Sequence, residues 1–437
     1  MKPVNLAGHL GEPLRRPVRL AVVGAGARGS AYAELAAARP DRAAIVAVAE
    51  PSAPRREAFA TRHGLGRDVY ADWRELARRP RLADAVIVAT QDADHQGPVE
   101  AFAALGYDLL LEKPMAPAEE GCEAIAAAVR GAGVAAVVCH VMRYTPYTRR
   151  LVELVRAGTI GEIVSVQHLE PIGFYHFAHS YVRGNWRRSD ESSSLLLAKS
   201  CHDIDWLGHV IGRPVRRVSS FGSRSHFRPE RRPDGAAQRC LECPVEPRCA
   251  YSAPRMYLAG LREPGSSKEY FARVAAGQPA VLTEESVLAS LADGPYGRCV
   301  YACDNDVVDH QVVNLEYEGG ATASFTLTAF TPKEDRRSRI FGTAGQLAGD
   351  GRTIEHYDFD TERTEVIDTG RATGHGGGDA GLITAFVDAL HGGRPELVVS
   401  GVEESLASHR VVFAAERARL RGTVETPVSP GTPAVPG

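Results

Sequence analysis

Lysine is nearly missing from this chain. Of its 51 basic residues only those at positions 2, 113, 199, 268 and 333 are lysine; the rest are arginine. Arginine keeps its charge in almost any setting, whereas lysine can give up a proton, so a lysine inside a motif is informative here. Net charge is lacking too. The balance of 51 basic against 54 acidic residues leaves -3, which offers no footprint for nucleic acid or an anionic membrane. No apolar run approaches the roughly 20 residues of a membrane helix, and Met1 to Pro17 lacks the apolar stretch of a secretory signal. These absences predict a cytoplasmic protein with a small-molecule partner and neither nucleic acid nor membrane.

A cytoplasmic protein of this size has no need of disulfides, yet there are eight cysteines. Three of them form Cys240-x2-Cys243-x5-Cys249, a metal-like spacing. Short-spaced thiolates can supply half or more of a tetrahedral shell. The expectation is a structural zinc held by Cys240, Cys243, Cys249 and, as fourth ligand, Cys303, with Cys299 and His310 as alternatives. Free or redox-active thiols are the rival reading.

From residue 18 to about 140, short apolar runs alternate with helical stretches: 18–23, 44–49, 85–89, 105–111 and 134–140 read as strands. Such alternation predicts an α/β Rossmann domain with a doubly wound parallel sheet. After a short N-terminal extension (1–17), this domain covers 18–140. The remainder, 141–425, reads as an α+β domain with an open, largely antiparallel sheet. It contains a hairpin turning at Glu318-Gly319-Gly320, helices near 147–157, 194–210, 380–390 and 403–420, and a Pro/Arg/Gly-rich insertion at about 222–280. The proline-rich tail from 426 to 437 reads as disordered.

Gly24-Ala25-Gly26-Ala27-Arg28-Gly29 follows the first strand and opens a helix, the context that a dinucleotide loop requires. The first glycine permits the turn, the second lets the backbone approach a pyrophosphate, and the third allows close helix–strand packing. Glu50 ends the next strand, where a carboxylate can bind ribose hydroxyls and repel a 2′-phosphate. NAD is therefore expected over NADP, with Arg55 and Arg56 as the competing signal.

Two further motifs carry chemistry. Glu112-Lys113-Pro114 sits at a strand end, where ligands of doubly wound sheets bind. In Lys199-Ser200-Cys201-His202-Asp203-Ile204-Asp205, residues 199, 202 and 205 fall roughly on one helical face. A histidine can accept the proton that a carbinol loses as its hydride departs, and a nearby lysine stabilises alkoxide charge. The structural alternative is a buried His202 bonded to Asp205. The run from Phe174 to Arg187 mixes aromatics, histidines and cations. It reads either as a sugar-binding loop or as a packing segment. His375-Gly376-Gly377-Gly378-Asp379 reads as a helix start capped by Asp379.

The nucleotide loop, Val88-Ala89-Thr90, Glu112-Lys113-Pro114, His140-Val141-Met142-Arg143-Tyr144 and Gly158-Thr159-Ile160-Gly161-Glu162-Ile163 together resemble the Gfo/Idh/MocA oxidoreductases over about residues 18–420. The resemblance implies dimers or tetramers acting on a sugar or cyclitol. Gly24, Gly26, Ala27, Arg28, Gly29, Glu50, Thr90, His95, Glu112 and Lys113 would contact the cofactor. Lys113, His202 and Lys199 would be catalytic. Arg143, Tyr181, Arg183, Asn185, Trp186, Arg187 and Asp203 would contact substrate. Where family dehydrogenases often carry Asp four residues before the histidine, this chain has Ala198, which leaves the base open. Three readings follow: an NAD-dependent sugar dehydrogenase; an NAD-recycling oxidoreductive glycosidase, with an anionic (sulfonated or uronic) glycoside as a candidate; and a non-catalytic dinucleotide sensor.

Overall fold

A computed structural model describes residues 13–14, 16–279, 281–370 and 375–427. Most of the expected N-terminal extension (1–12 and 15) and the expected disordered tail from 428 onward lie outside the described residues. Six parallel strands form the first sheet: β1 (Val18–Val23), β2 (Ala43–Ala49), β3 (Val69–Tyr70), β4 (Ala85–Val88), β5 (Asp108–Leu111) and β6 (Ala136–Val138), in the order β3-β2-β1-β4-β5-β6. The strands are apolar on both faces because helices cover both sides. Those helices are α1 (Ala27–Ala37), α2 (Ala53–His63), α3 (Trp73–Ala77), α4 (Gln96–Ala104) and α5 (Glu119–Ala132). Chain order reverses between β1 and β4, and a crevice opens at the carboxyl ends of the strands beside that switch.

After α6 (Pro146–Arg156), β7 (Ile163–Pro171) enters a second, eight-stranded sheet. The short α7 (Phe174–Phe177), a wide-turned helical segment over Ala178–Arg183 and α8 (Leu195–Ile211) then lead to β8 (Val215–Ser223). The insertion, which extends past the expected 280, holds α9 (Ala253–Arg262), α10 (Ser267–Ala275) and α11 (Glu284–Asp293). These three helices share their own small core of Met256, Tyr257, Phe271, Val287 and Leu291. The sheet is completed by β9 (His310–Tyr317), β10 (Thr322–Thr328), β11 (Arg337–Gly342), β12 (Gly345–Gly349), β13 (Thr353–Asp358) and β14 (Arg363–Asp368), in the order β14-β13-β12-β11-β7-β10-β9-β8. Only β7 and β10 pair in parallel. The β9–β10 turn uses Gly319 and Gly320, both at positive φ, as the sequence predicts.

The chain then returns to the first sheet. Leu382, Ile383 and Phe386 of α12 (Gly378–Gly392) join the core beneath β1 and α1. The final helix α13 (Val402–Arg421) contributes Leu406 to the core beside α5 and Val412 to the core beside α8. One helix thus sets α8 against the end of β5. Among the described residues no helix is long and apolar enough to cross a membrane.

Candidate functional site

The glycine loop is built for a close-approaching ligand. Gly24 lies at positive φ, and a Cβ there would meet the Ala89 carbonyl at 2.5 Å. A Cβ on Gly29 would collide with the Gly24 carbonyl at 2.0 Å, so α1 packs on β1 only because this residue is glycine. Gly26 faces open space instead. It precedes α1, whose start has no side-chain cap and no acidic residue. The free N–H groups of that first turn and the helix dipole suit a phosphate. The buried Glu50 carboxylate accepts from the N–H groups of Ala25 (2.8 Å) and Ser52 (3.0 Å), tying the loop to the end of β2. Arg56 donates to the carbonyls of Glu50 and Pro51. Its guanidinium is therefore committed to the chain, while Arg55 is exposed. The glycine loop and the uncapped start of α1 fit a dinucleotide.

Other expected cofactor contacts brace the crevice through one another. Arg28 donates to Glu112 (2.6 Å), Asp379 (2.7 Å) and the Tyr32 hydroxyl. The Arg28 and Glu112 side chains therefore lock α1 to the end of β5 and to the first turn of α12. This corrects the capping reading of Asp379: the N-cap is Gly377, and the Asp379 carboxylate serves Arg28 and His375 instead. Fully buried His95 bonds the Pro114 carbonyl at 2.8 Å and supports the Lys113 loop from behind. Thr90 follows β4 on the crevice side, half-buried.

Lys113 reaches across the crevice to the Ala198 carbonyl in α8 (2.9 Å). His202 sits one turn further along α8, buried, with Nδ1 unpartnered. Burial, with the charges of Lys113 and His140, pushes its imidazole well below the usual range, so it is neutral near pH 7. Behind it stand two more buried histidines. His140 meets His202 edge-on at 5.8 Å and His409 at 5.7 Å. His409 accepts from the Met115 N–H at 3.0 Å and so fixes the Lys113 loop from α13. His202 forms no hydrogen bond with Asp205, the partner that the structural alternative named. Asp205 takes a bidentate pair from Arg143 (2.7 and 2.6 Å) instead.

That pair corrects the reading of Arg143 as a substrate contact. Its guanidinium is buried and spent on Asp205 and the Val399 carbonyl. Asp203, also read as a substrate contact, is fully buried between His168 (3.0 Å) and Arg336. Two of the expected anion-gripping arginines are likewise engaged. Arg183 is buried against the carbonyls of Arg298 and Tyr251, and Arg187 pairs with Asp304 and Glu191. Tyr181 and Trp186 do come together, rings 6.3 Å apart. Asn185 is exposed nearby.

The sequence reading missed the groups that surround Lys199. Its ammonium pairs with Glu170 at the end of β7 (3.0 Å), and Arg336 pairs with the same carboxylate (2.9 Å). Burial, helped by Lys199 and Lys333, drives His176 well below the ordinary range. Burial also lifts Asp92 above the usual carboxylate range, against the pull of Lys113. No local motif marks Glu170, Arg336 or Asp92. The one available cue was the scarcity of lysine, since three of the five lysines, Lys113, Lys199 and Lys333, lie here.

The zinc reading is also corrected. Among the described residues no three His, Cys, Asp or Glu side chains are placed to hold a metal ion. Cys303, the expected fourth ligand, turns its thiol to the Cys299 carbonyl (3.3 Å).

The buried histidines set the acid stability. Burial pushes His140 and His209 down to about 3 and His409 to about 4, from an ordinary value of 6.5. The unfolded chain binds these protons first, so the stability they confer is complete above pH 6.5 and is lost as pH falls toward the folded values. Asp205, held down to about 2 chiefly by Arg143 against the penalty of burial, adds a second loss below the ordinary carboxylate value of 3.8. The urea midpoint is therefore expected to fall between pH 7 and pH 5, before carboxylates titrate. A flat midpoint across that window would contradict the burial of these imidazoles.

Residues 18–140 match the family model described as "Oxidoreductase family, NAD-binding Rossmann fold", and residues 152–425 match its "C-terminal alpha/beta domain". The putative oxidoreductase YteT of Bacillus subtilis is 26% identical over 321 residues, 69% of this chain and 71% of that protein. The 2,7-anhydro-N-acetylneuraminate hydratase of Escherichia coli is 30% identical over 142 residues, 32% of this chain but 37% of that protein. An inositol dehydrogenase homolog from Azotobacter vinelandii, solved with NAD+, superposes with a TM-score of 0.67 at 18% identity, covering 97% of this chain and 100% of that one; at this identity the likeness shows the fold. With both halves matched by the family models, the chain belongs to the Gfo/Idh/MocA family of NAD-binding oxidoreductases.

Proposed function

We propose that this protein uses NAD to oxidise a hydroxyl of a sugar or sugar derivative, with Lys113 at the reacting oxygen and His202 as proton acceptor. The observation that carries the reading is the neutral, buried His202, whose free Nδ1 lies within the electrostatic reach of Lys113. When bound, NAD supplies the hydride acceptor. Lys113 stabilises the alkoxide as the hydroxyl proton leaves, and His202 takes that proton because it enters the reaction uncharged. Tyr181 and Trp186 offer apolar faces to the sugar ring, and Lys199 with Glu170 and Arg336 offers fixed polar groups opposite. A dimer or tetramer, implied by the family, belongs to the same proposal, and light scattering checks it.

A second reading keeps the cofactor but returns the hydride, so that elimination or hydration proceeds with no net redox change. It is favoured by the Lys199–Glu170 pair, an added acid–base couple where Ala198 replaces the expected carboxylate, and by the relative named as a hydratase. A panel of sugars and glycosides, anionic ones included, separates the two. NADH absorbance that grows with product supports net oxidation. Product formed without added NAD and without NADH accumulation supports recycling. NAD binding with no turnover on any member would favour a dinucleotide sensor.

Glu50 gives a cofactor-side prediction. Losing a hydrogen bond to a charged group costs about 1.5–3 kcal/mol, so Glu50→Ala is expected to weaken NAD binding by at least about tenfold. Fluorescence titration with NAD and NADP reads this out, and unchanged NAD affinity would contradict the ribose role.

A further inference from the structure

The insertion contains a cavity that the oxidoreductase reading does not use. Cys240, Cys243, Cys249 and Cys299 line it together with Arg183 and Tyr251. Three of the thiols are brought together by consecutive tight turns, with Cys243 N–H bonded to the Cys240 carbonyl, Glu246 N–H to Cys243 and Cys249 N–H to Glu246. The fourth arrives from far along the chain, because Cys299 N–H bonds the Gln238 carbonyl beside Cys240. All four are free thiols.

The placement of these thiols does not suit one ion. A zinc with thiolates at about 2.3 Å fills the centre of its own shell. Here no three of the thiols are placed to share a metal ion. In an iron–sulfur cubane each thiolate binds a different iron and the sulfides occupy the middle, so the thiols need not meet at a point.

Arg183 supplies an independent observation. Its side chain is 1% exposed and lines the cavity, with Nη1 bonded to nothing. The remaining nitrogens donate to the carbonyls of Arg298 and Tyr251 and to the Cys240 sulfur (3.6 Å), so none of its partners is a carboxylate. A buried guanidinium without an anion is costly. Four thiolates around a cubane leave net negative charge, which is the counter-charge that this position lacks. The Ala237 N–H donates to the Cys243 sulfur (3.4 Å), and hydrogen bonds to sulfur are among the groups that stabilise and tune such clusters.

We propose that Cys240, Cys243, Cys249 and Cys299 hold a [4Fe–4S] cluster that pins the insertion to the Ala178–Arg183 segment. The test uses the full chain, purified without oxygen and treated with equal amounts of ferric and ferrous iron and with sulfide. The expected result is broad visible absorption with about four iron and about four acid-labile sulfide per chain. Cys249→Ser and Cys299→Ser should lose this absorption, while Cys303→Ser, a buried neighbour that does not line the cavity, should keep it. NAD titration of each variant shows whether it has folded; if the serine variants do not fold, the wild-type iron and sulfide content decides. One zinc and no sulfide per chain, no bound metal after reconstitution, or loss of the cluster in Cys303→Ser but not in Cys299→Ser would each overturn the assignment.

Discussion

Lys113→Ala is expected to lower kcat/KM by roughly 10³-fold with NAD affinity nearly unchanged. Removing a preorganised donor to a developing oxyanion costs about 10²–10³ in rate, and a misplaced general base adds up to about 10²–10⁴. Lys113 bridges to the Ala198 carbonyl and its charge helps to keep His202 neutral, so one substitution touches both functions. His202→Asn should fall by a similar factor. The pH profile checks the depressed titration of His202. Because its imidazole titrates well below the usual value, wild-type kcat/KM should show no acid limb near pH 6.5. An acid limb at the ordinary histidine value, or full activity in Lys113→Ala, would defeat the assignment.

Arg143→Ala should be the most destabilising single change at the junction of the two sheets. It leaves the Asp205 carboxylate, 1% exposed, without its bidentate partner. Breaking a buried pair from one side costs about 3–5 kcal/mol. Denaturant titration measures this loss. The double variant Arg143→Met/Asp205→Leu should recover most of it, because the unpaired charge is then removed as well. KM for any substrate that the panel identifies should stay within about twofold in that double variant. A large rise in KM at unchanged stability would restore Arg143 to the substrate contacts.

Local pattern was enough for the nucleotide half. A buried parallel strand, a glycine turn and a helix start are short-range features, and Gly24 and Gly29 each have a steric reason that spacing alone exposes. The β9–β10 hairpin and helix α8 were legible for the same reason. The insertion was not. Its prolines, arginines and glycines read as loop, yet α9, α10 and α11 form because Tyr257, Phe271 and Leu291 find one another in a small separate core. Strands β12 to β14 were also missed, since they are short and their stability comes from pairing with neighbours rather than from their own composition.

Among the site residues, sequence alone determined types and rough positions: a dinucleotide loop ending at Glu50, a lysine at the end of β5, a histidine on α8, and a cluster of thiols. Which charges are available was decided only by the fold. Arg143, Arg183 and Asp203 look like ligand-binding groups in a linear reading, but folding surrounds each of them with partners from distant segments. Glu170 and Arg336 become neighbours of Lys199 only when β7 and the approach to β11 close on α8. The physical reason is that a charge is defined by what desolvates and pairs it, and those contacts are made by residues far apart along the chain.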